Sequence, residues 1–93
     1  MSLLRESEIA AELATTRGRT RRGAAIERTY RCTDFKSAML FVNGVAALAE
    51  RAGHHPDIAV RYSVVTLSLW THSAGGLTAR DFALARRIDA AFS

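Results

Sequence analysis

The hydrophobic period of this chain changes along its length, and that change limits what it can fold into. Between Thr33 and Gly53 apolar residues return every three or four positions: Phe35, Met39, Val42, Val45 or Ala46, Ala49 and Ala52. That is the period of one helical face. Before this stretch, Ile26, Arg28, Tyr30 and Cys32 fall on one parity, with Ala25, Glu27, Thr29 and Arg31 on the other. After it, Ile58, Val60 and Tyr62 alternate, followed by Val65, Leu67 and Leu69. Alternation is the period of a strand with two different faces.

The residues between these runs say where each element stops. Thr33-Asp34 offers an N-cap to the long helix and Gly53 a C-terminal stop. Pro56 bars continuation and biases His55 toward an extended backbone. The short connection after Tyr62 predicts that the two flanking strands pair antiparallel. Near the N-terminus, Glu6 to Ala14 reads as an amphipathic helix with Ile9 and Leu13 on its apolar side and Ser7 as candidate cap. Thr15 to Arg22, punctuated by Gly18 and Gly23, reads as a strand and turn, and Ala24 to Cys32 as a strand. Gly75-Gly76 ends the sheet. Thr78-Ala79-Arg80-Asp81 then resembles a capping box with Asp in place of Glu or Gln. It opens a last helix expected to bury Phe82, Leu84 or Ala85, Ile88 and Phe92. The predicted fold class is α+β, in the order α-β-β-α-β-β-α, with a four-stranded, mainly antiparallel sheet and helices packed on one face. There is no internal repeat or linker, so residues 1–93 are read as one domain.

A chain of 93 residues builds one modest core, and self-association is an expected source of further stability. No apolar run approaches the roughly 20 residues of a membrane span, and the N-terminus lacks the apolar core of a signal peptide. The single cysteine, Cys32, cannot form an internal disulfide; it fits a cytoplasmic location and is read as a small buried hydrophobe. The formal charge of +4 is carried almost wholly by arginine, since Lys36 is the only lysine. Arg17, Arg19, Arg21 and Arg22 form a basic cluster, but no aromatic residue interleaves with them. A solvated strand and turn is the preferred reading, and nucleic acid is not an expected partner.

All three histidines lie in two short places, Glu50-Arg51-Ala52-Gly53-His54-His55-Pro56-Asp57 and Trp70-Thr71-His72. Glu50 stands one helical turn before His54, so the two could share a face. A hairpin that starts after His55 and ends at His72 can return the third imidazole toward the first two. Imidazole titrates near pH ~6.5, which suits proton transfer at working pH. Three histidines could also hold zinc. Adjacent histidines diverge in extended backbone, however, and no HExxH spacing is present, so general acid–base catalysis is preferred and no metal is expected. Cys32 and Ser73 lack the context of a nucleophile.

These residues resemble the pterin-4a-carbinolamine dehydratase family. The resemblance runs from about Ala25 to Ala91. It is carried by Asp34-Phe35, Ala38, Phe41, Val45-Ala46, Ala49-Glu50, His54-His55-Pro56-Asp57, Tyr62, Val65, Leu67, Leu69, Thr71-His72, Gly76-Leu77-Thr78, Asp81 and Leu84-Ala85. The family's fold has the same element order. What the resemblance implies is loss of water from 4a-hydroxytetrahydropterin, giving quinonoid dihydropterin for tetrahydropterin recycling, with no metal or organic cofactor. His54 and His72 would form the acid–base pair, their individual roles open, and His55 would position the substrate. Glu50 would orient a histidine or bind the pterin, and Pro56, Thr71 and Ser73 would line the same pocket. The resemblance also implies homodimers or homotetramers. It carries an alternative as well, a non-catalytic dimerisation or assembly module on the same scaffold. Two departures stand out. Gly53 replaces an acidic residue common before the first histidine, and a tryptophan common near the first strand is missing, with Arg17 or a neighbour in its place. Arg17 is therefore a candidate for contact with the ring's carbonyl edge.

Overall fold

A computed structural model describes residues 2–92 of the chain. It contains α1 (Glu6–Thr15), β1 (Thr20–Arg22), β2 (Ala25–Arg31), α2 (Phe35–Ala52), β3 (Asp57–Arg61), β4 (Val64–Leu69) and α3 (Ala79–Ala91), with a 3-10 turn at His72–Ala74. The order is the α-β-β-α-β-β-α expected from the periods. The strands form one sheet in the order β1-β2-β4-β3, with every neighbouring pair antiparallel. Two tight hairpins, β1–β2 and β3–β4, are thus joined through the central β2–β4 pair.

The cap residues act largely as their chemistry predicts. Asp34 accepts the Ser37 N–H at 2.8 Å, and that bond holds its carboxyl below the usual range, so the cap weakens only in acid. Thr78 accepts the Arg80 N–H, while Asp81 accepts the Thr78 N–H at 2.9 Å. At α1 the expectation for Ser7 fails: Arg5 is the N-cap residue, and its N–H donates to Glu8 at 2.8 Å.

One parity of the sheet is apolar and meets all three helices. Ile26, Val65, Leu67 and Leu69 join Ile9 of α1, Ala38, Val45 and Ala49 of α2, and Phe82, Leu84, Ala85 and Ile88 of α3 in one core. The other parity pairs polar groups, such as Ser68 with Glu27 and Thr29 with Thr66. The helices therefore cover one face.

Three readings of burial are corrected. On α2, Phe35 is exposed and Met39 half-buried, and of Val45 and Ala46 it is Val45 that is buried, because the helix lays Ala38, Val45 and Ala49 against the sheet. Phe92 of the last segment stays 38% exposed, its ring set edge-on to Phe41. A Cβ at Gly44 would lie 2.5 Å from that ring, which explains a glycine inside α2. Cys32 is half-buried against the core and not fully enclosed.

Within the arginine cluster Arg17, Arg21 and Arg22 are exposed, as a solvated strand and turn requires, and only Arg19 is buried. The Arg19 side chain is 2% exposed, and its guanidinium donates to both carboxylate oxygens of Asp89, at 2.8 and 2.7 Å, and to the Tyr30 hydroxyl at 3.0 Å. Arg21 pairs with Glu6, and Arg22 with Glu27. Arg19→Ala is expected to destabilise the fold by about 1.5–3 kcal/mol, the range for a lost hydrogen bond to a charged group, with Arg28 retaining part of Asp89's pairing. A urea midpoint unchanged from wild type would contradict it.

Candidate active site

The site begins where α2 ends. Gly53 adopts a left-handed conformation at φ 62°, its N–H bonded to the carbonyls of Ala49 and Glu50, and the His54 N–H also returns to Ala49 at 3.2 Å. Glycine takes this backbone without strain. The reversal turns His54 inward, where only 8% of the residue is exposed.

There His54 Nε2 lies 2.6 Å from Oδ1 of Asp81, a fully buried carboxylate on the first turn of α3. Oδ2 of Asp81 accepts from the Thr78 N–H and the Thr71 hydroxyl, each at 2.9 Å, and the Thr71 and Thr78 hydroxyls are 2.7 Å apart. An acceptor carboxylate places the proton of His54 on Nε2 and leaves Nδ1 as the remaining nitrogen. The neighbouring groups thus set both the tautomer and the ring orientation of His54.

The other histidines are solvent-facing, and each stands near a different carboxylate. His55 Nε2 is 2.5 Å from Glu50. His72, at the start of the 3-10 turn, stands 4.0 Å from Asp57 and stacks on Trp70, with ring centres 4.0 Å apart. Trp70 is itself held by a hydrogen bond from its Nε1 to Asp57 at 3.2 Å. The backbone at Thr71 bridges to Gly76 and so sets the exit of the chain beyond β4.

All three histidines line one cavity of about 310 Å³, together with Trp70, Thr71 and Ser73. Gly53 and Arg80 complete its wall. The volume is at the lower end of the range for small-molecule sites. Three expected contributors are absent from the wall. Glu50 does not share a face with His54; the turn at Gly53 swings the chain so that Glu50 meets His55 instead. Pro56 lies outside the lining. Arg17 faces a different cavity with Thr15, Arg28 and Asp89, so it does not replace a missing aromatic near the histidines. Trp70 is the aromatic on the wall.

Sequence reasoning missed Asp81 as the partner of His54, assigning it only a capping role, and missed Arg80 altogether. The available signal for Asp81 was its aspartate at the capping-box position usually held by Glu or Gln. Among the described residues, no group of three or more His, Cys, Asp or Glu could hold a metal ion, and no helix is long and apolar enough to cross a membrane.

The sequence profile of the family described as Pterin 4 alpha carbinolamine dehydratase matches residues 2–91. The chain belongs to that family. A relative from Roseiflexus castenholzii, named "Putative pterin-4-alpha-carbinolamine dehydratase", is 53% identical over 88 residues, covering 95% of each chain. A relative of the same name from Chloroflexus aurantiacus is 53% identical over 89 residues, covering 96% of each. Among solved structures, a transcriptional coactivator/pterin dehydratase from Brucella melitensis superposes with a TM-score of 0.90 at 34% identity, covering 96% of this chain and 97% of that one. A pterin dehydratase-like protein, identified as a RuBisCO assembly factor in the alpha-carboxysome, has a TM-score of 0.63 at 23% identity over 77% of this chain and 83% of that one, a likeness of fold.

Proposed function

We propose that this chain is a hydro-lyase that eliminates water from 4a-hydroxytetrahydropterin to give quinonoid dihydropterin in tetrahydropterin recycling. Family membership supports the substrate class. The observation that carries the chemistry is the buried His54–Asp81 pair on one wall of a cavity that also holds the exposed imidazole of His72. The reaction takes a proton from the ring nitrogen beside the carbinol carbon and breaks that carbon's bond to hydroxyl. The nitrogen's electron pair becomes the new double bond, and the departing hydroxyl takes a proton to leave as water. His54, oriented by Asp81, receives the ring proton on Nδ1. His72 in its protonated form supplies the proton to the hydroxyl. His55, held by Glu50, positions the heterocycle, and Thr71 and Ser73 shape the wall beside it. This reading uses no metal or organic cofactor.

The proposed setting is the cytoplasm, with the chain as a homodimer or homotetramer. Ile58 and Tyr62 are exposed along and beyond the edge strand β3, which offers a surface for a second copy.

The test is decay of chemically generated 4a-hydroxytetrahydropterin. Wild-type protein is expected to accelerate it well above buffer, and His72→Ala to lower the rate constant about 100-fold, since one positioned acid contributes at least that much. Protein indistinguishable from buffer would sink the proposal. The alternative is a non-catalytic dimerisation or assembly module, supported by the coactivator half of the Brucella protein's description. It would take precedence if inactive wild-type protein recovered one stoichiometric macromolecular partner.

A further inference from the structure

A second cavity of about 360 Å³ adjoins the histidine cavity and shares His54 and Arg80 with it. Arg80, Ala83, Leu84 and Arg87 form one wall, at the spacing of a single α3 face, and Arg51 from the last turn of α2 faces them. Three arginines and no carboxylate line it. Elsewhere Arg5, Arg19, Arg21, Arg22, Arg28 and Arg86 each pair with an acid, and the remaining arginines, Arg17, Arg31 and Arg61, do not gather around one cavity as these three do. Among the described residues no acidic side chain lies within ion-pair distance of Arg51, Arg80 or Arg87. Arg80 gives one guanidinium nitrogen, Nη2, to the carbonyls of Gly53 and Ala52, at 2.6 and 3.4 Å. Its other N–H groups remain for a ligand. At Gly53, where a Cβ would lie 3.8 Å from the Arg80 guanidinium, no side chain adds a charge. The C-terminal end of α2 offsets part of this positive charge but falls short of three guanidinium groups.

We infer that the second cavity receives a phosphate group on the side chain of a pterin whose ring occupies the histidine cavity. The inference rests on the pterin reading above and adds to it a preference among pterins. Guanidinium groups match phosphate in geometry and charge, and a dianion balances three arginines better than a neutral hydroxyl does. Because Arg80 borders both cavities, it would contact the bound molecule between ring and phosphate.

The experiment is a fluorescence titration of the full chain with 6-hydroxymethylpterin and with its phosphate monoester. The ester is expected to bind about tenfold more tightly at low salt, with the preference shrinking as salt rises. In the Arg51→Ala/Arg87→Ala variant, the ratio of the two dissociation constants should fall to within about twofold of unity. Equal affinity for the two pterins in wild type, or a ratio preserved in the variant, overturns the inference and leaves the pterin reading standing. Binding of neither pterin removes both. Inorganic phosphate that binds as tightly as the ester would mark a site for the free anion and overturn the assignment to a pterin.

Discussion

Replacing His54 by alanine is expected to lower kcat for dehydration by about 10³, in the middle of the range for a positioned general base. His54 is the one imidazole in this chain whose orientation is set from behind by a buried acid, at 2.6 Å. His55 and His72 are exposed and keep more rotational freedom. Truncation also leaves Asp81 Oδ1 without its partner, so His54→Ala should lose about 1–3 kcal/mol of stability. His54→Gln separates the two effects. It can keep an N–H donor toward Asp81 and recover stability, but it cannot take a proton. Rate constants measured alongside urea melts should therefore show both variants inactive and only the alanine variant substantially weakened. If His54→Gln retained more than about a tenth of wild-type activity, His54 would not be a proton-transfer group.

Asp81→Asn should cost as much activity with the fold nearly intact. The Thr78 N–H and the Thr71 hydroxyl both donate to Oδ2, so the amide oxygen takes that side and the amide NH2 turns toward His54. His54 Nε2 must then accept, which moves its proton to Nδ1 and closes the nitrogen assigned to the substrate. The serine-protease triad gives the scale: an Asp-to-Asn change that alters the histidine tautomer lowers kcat by about 10⁴. A loss of 10³ or more is expected here. Asp81→Ala adds a structural loss of roughly 2–4 kcal/mol, because the Thr78 N–H at the start of α3 and the Thr71 hydroxyl lose their acceptor. An active Asp81→Asn enzyme would show that the tautomer of His54 does not matter to the rate.

Much of this fold was legible before any coordinates. α2 has the extent its period and caps predict, Phe35–Ala52; the β3–β4 hairpin follows from a short connection between alternating runs, and the β1–β2 hairpin from the strand, turn and strand marked by Gly23. The errors share one cause. Period assigns a face, but the partner surface chooses the line of closest approach, and on α2 it took Ala38 into the core and left Phe35 outside, while Val45 and Ala49 are buried as expected. The solvated reading of Arg19 failed because its acid, Asp89, stands 70 residues away on α3.

The candidate site divides in the same way. Adjacent histidines before a proline, and a third after the next hairpin, are local facts, and the cavity contains all three. Which acid serves which imidazole is not local. Glu50 seemed placed for His54, yet the left-handed turn at Gly53 gives it to His55 and hands His54 to Asp81, 27 residues on. By itself, the sequence determined the elements, their order, the hairpins and the grouping of histidines, because caps, turns and periods act within a few residues. Only the tertiary structure decided the joining of β2 to β4, the burial of Asp81 behind His54 and the gathering of Arg51, Arg80 and Arg87 around one cavity. Those depend on how α2 and α3 settle on the same sheet, and contacts between distant segments leave no spacing in the chain from which to read them.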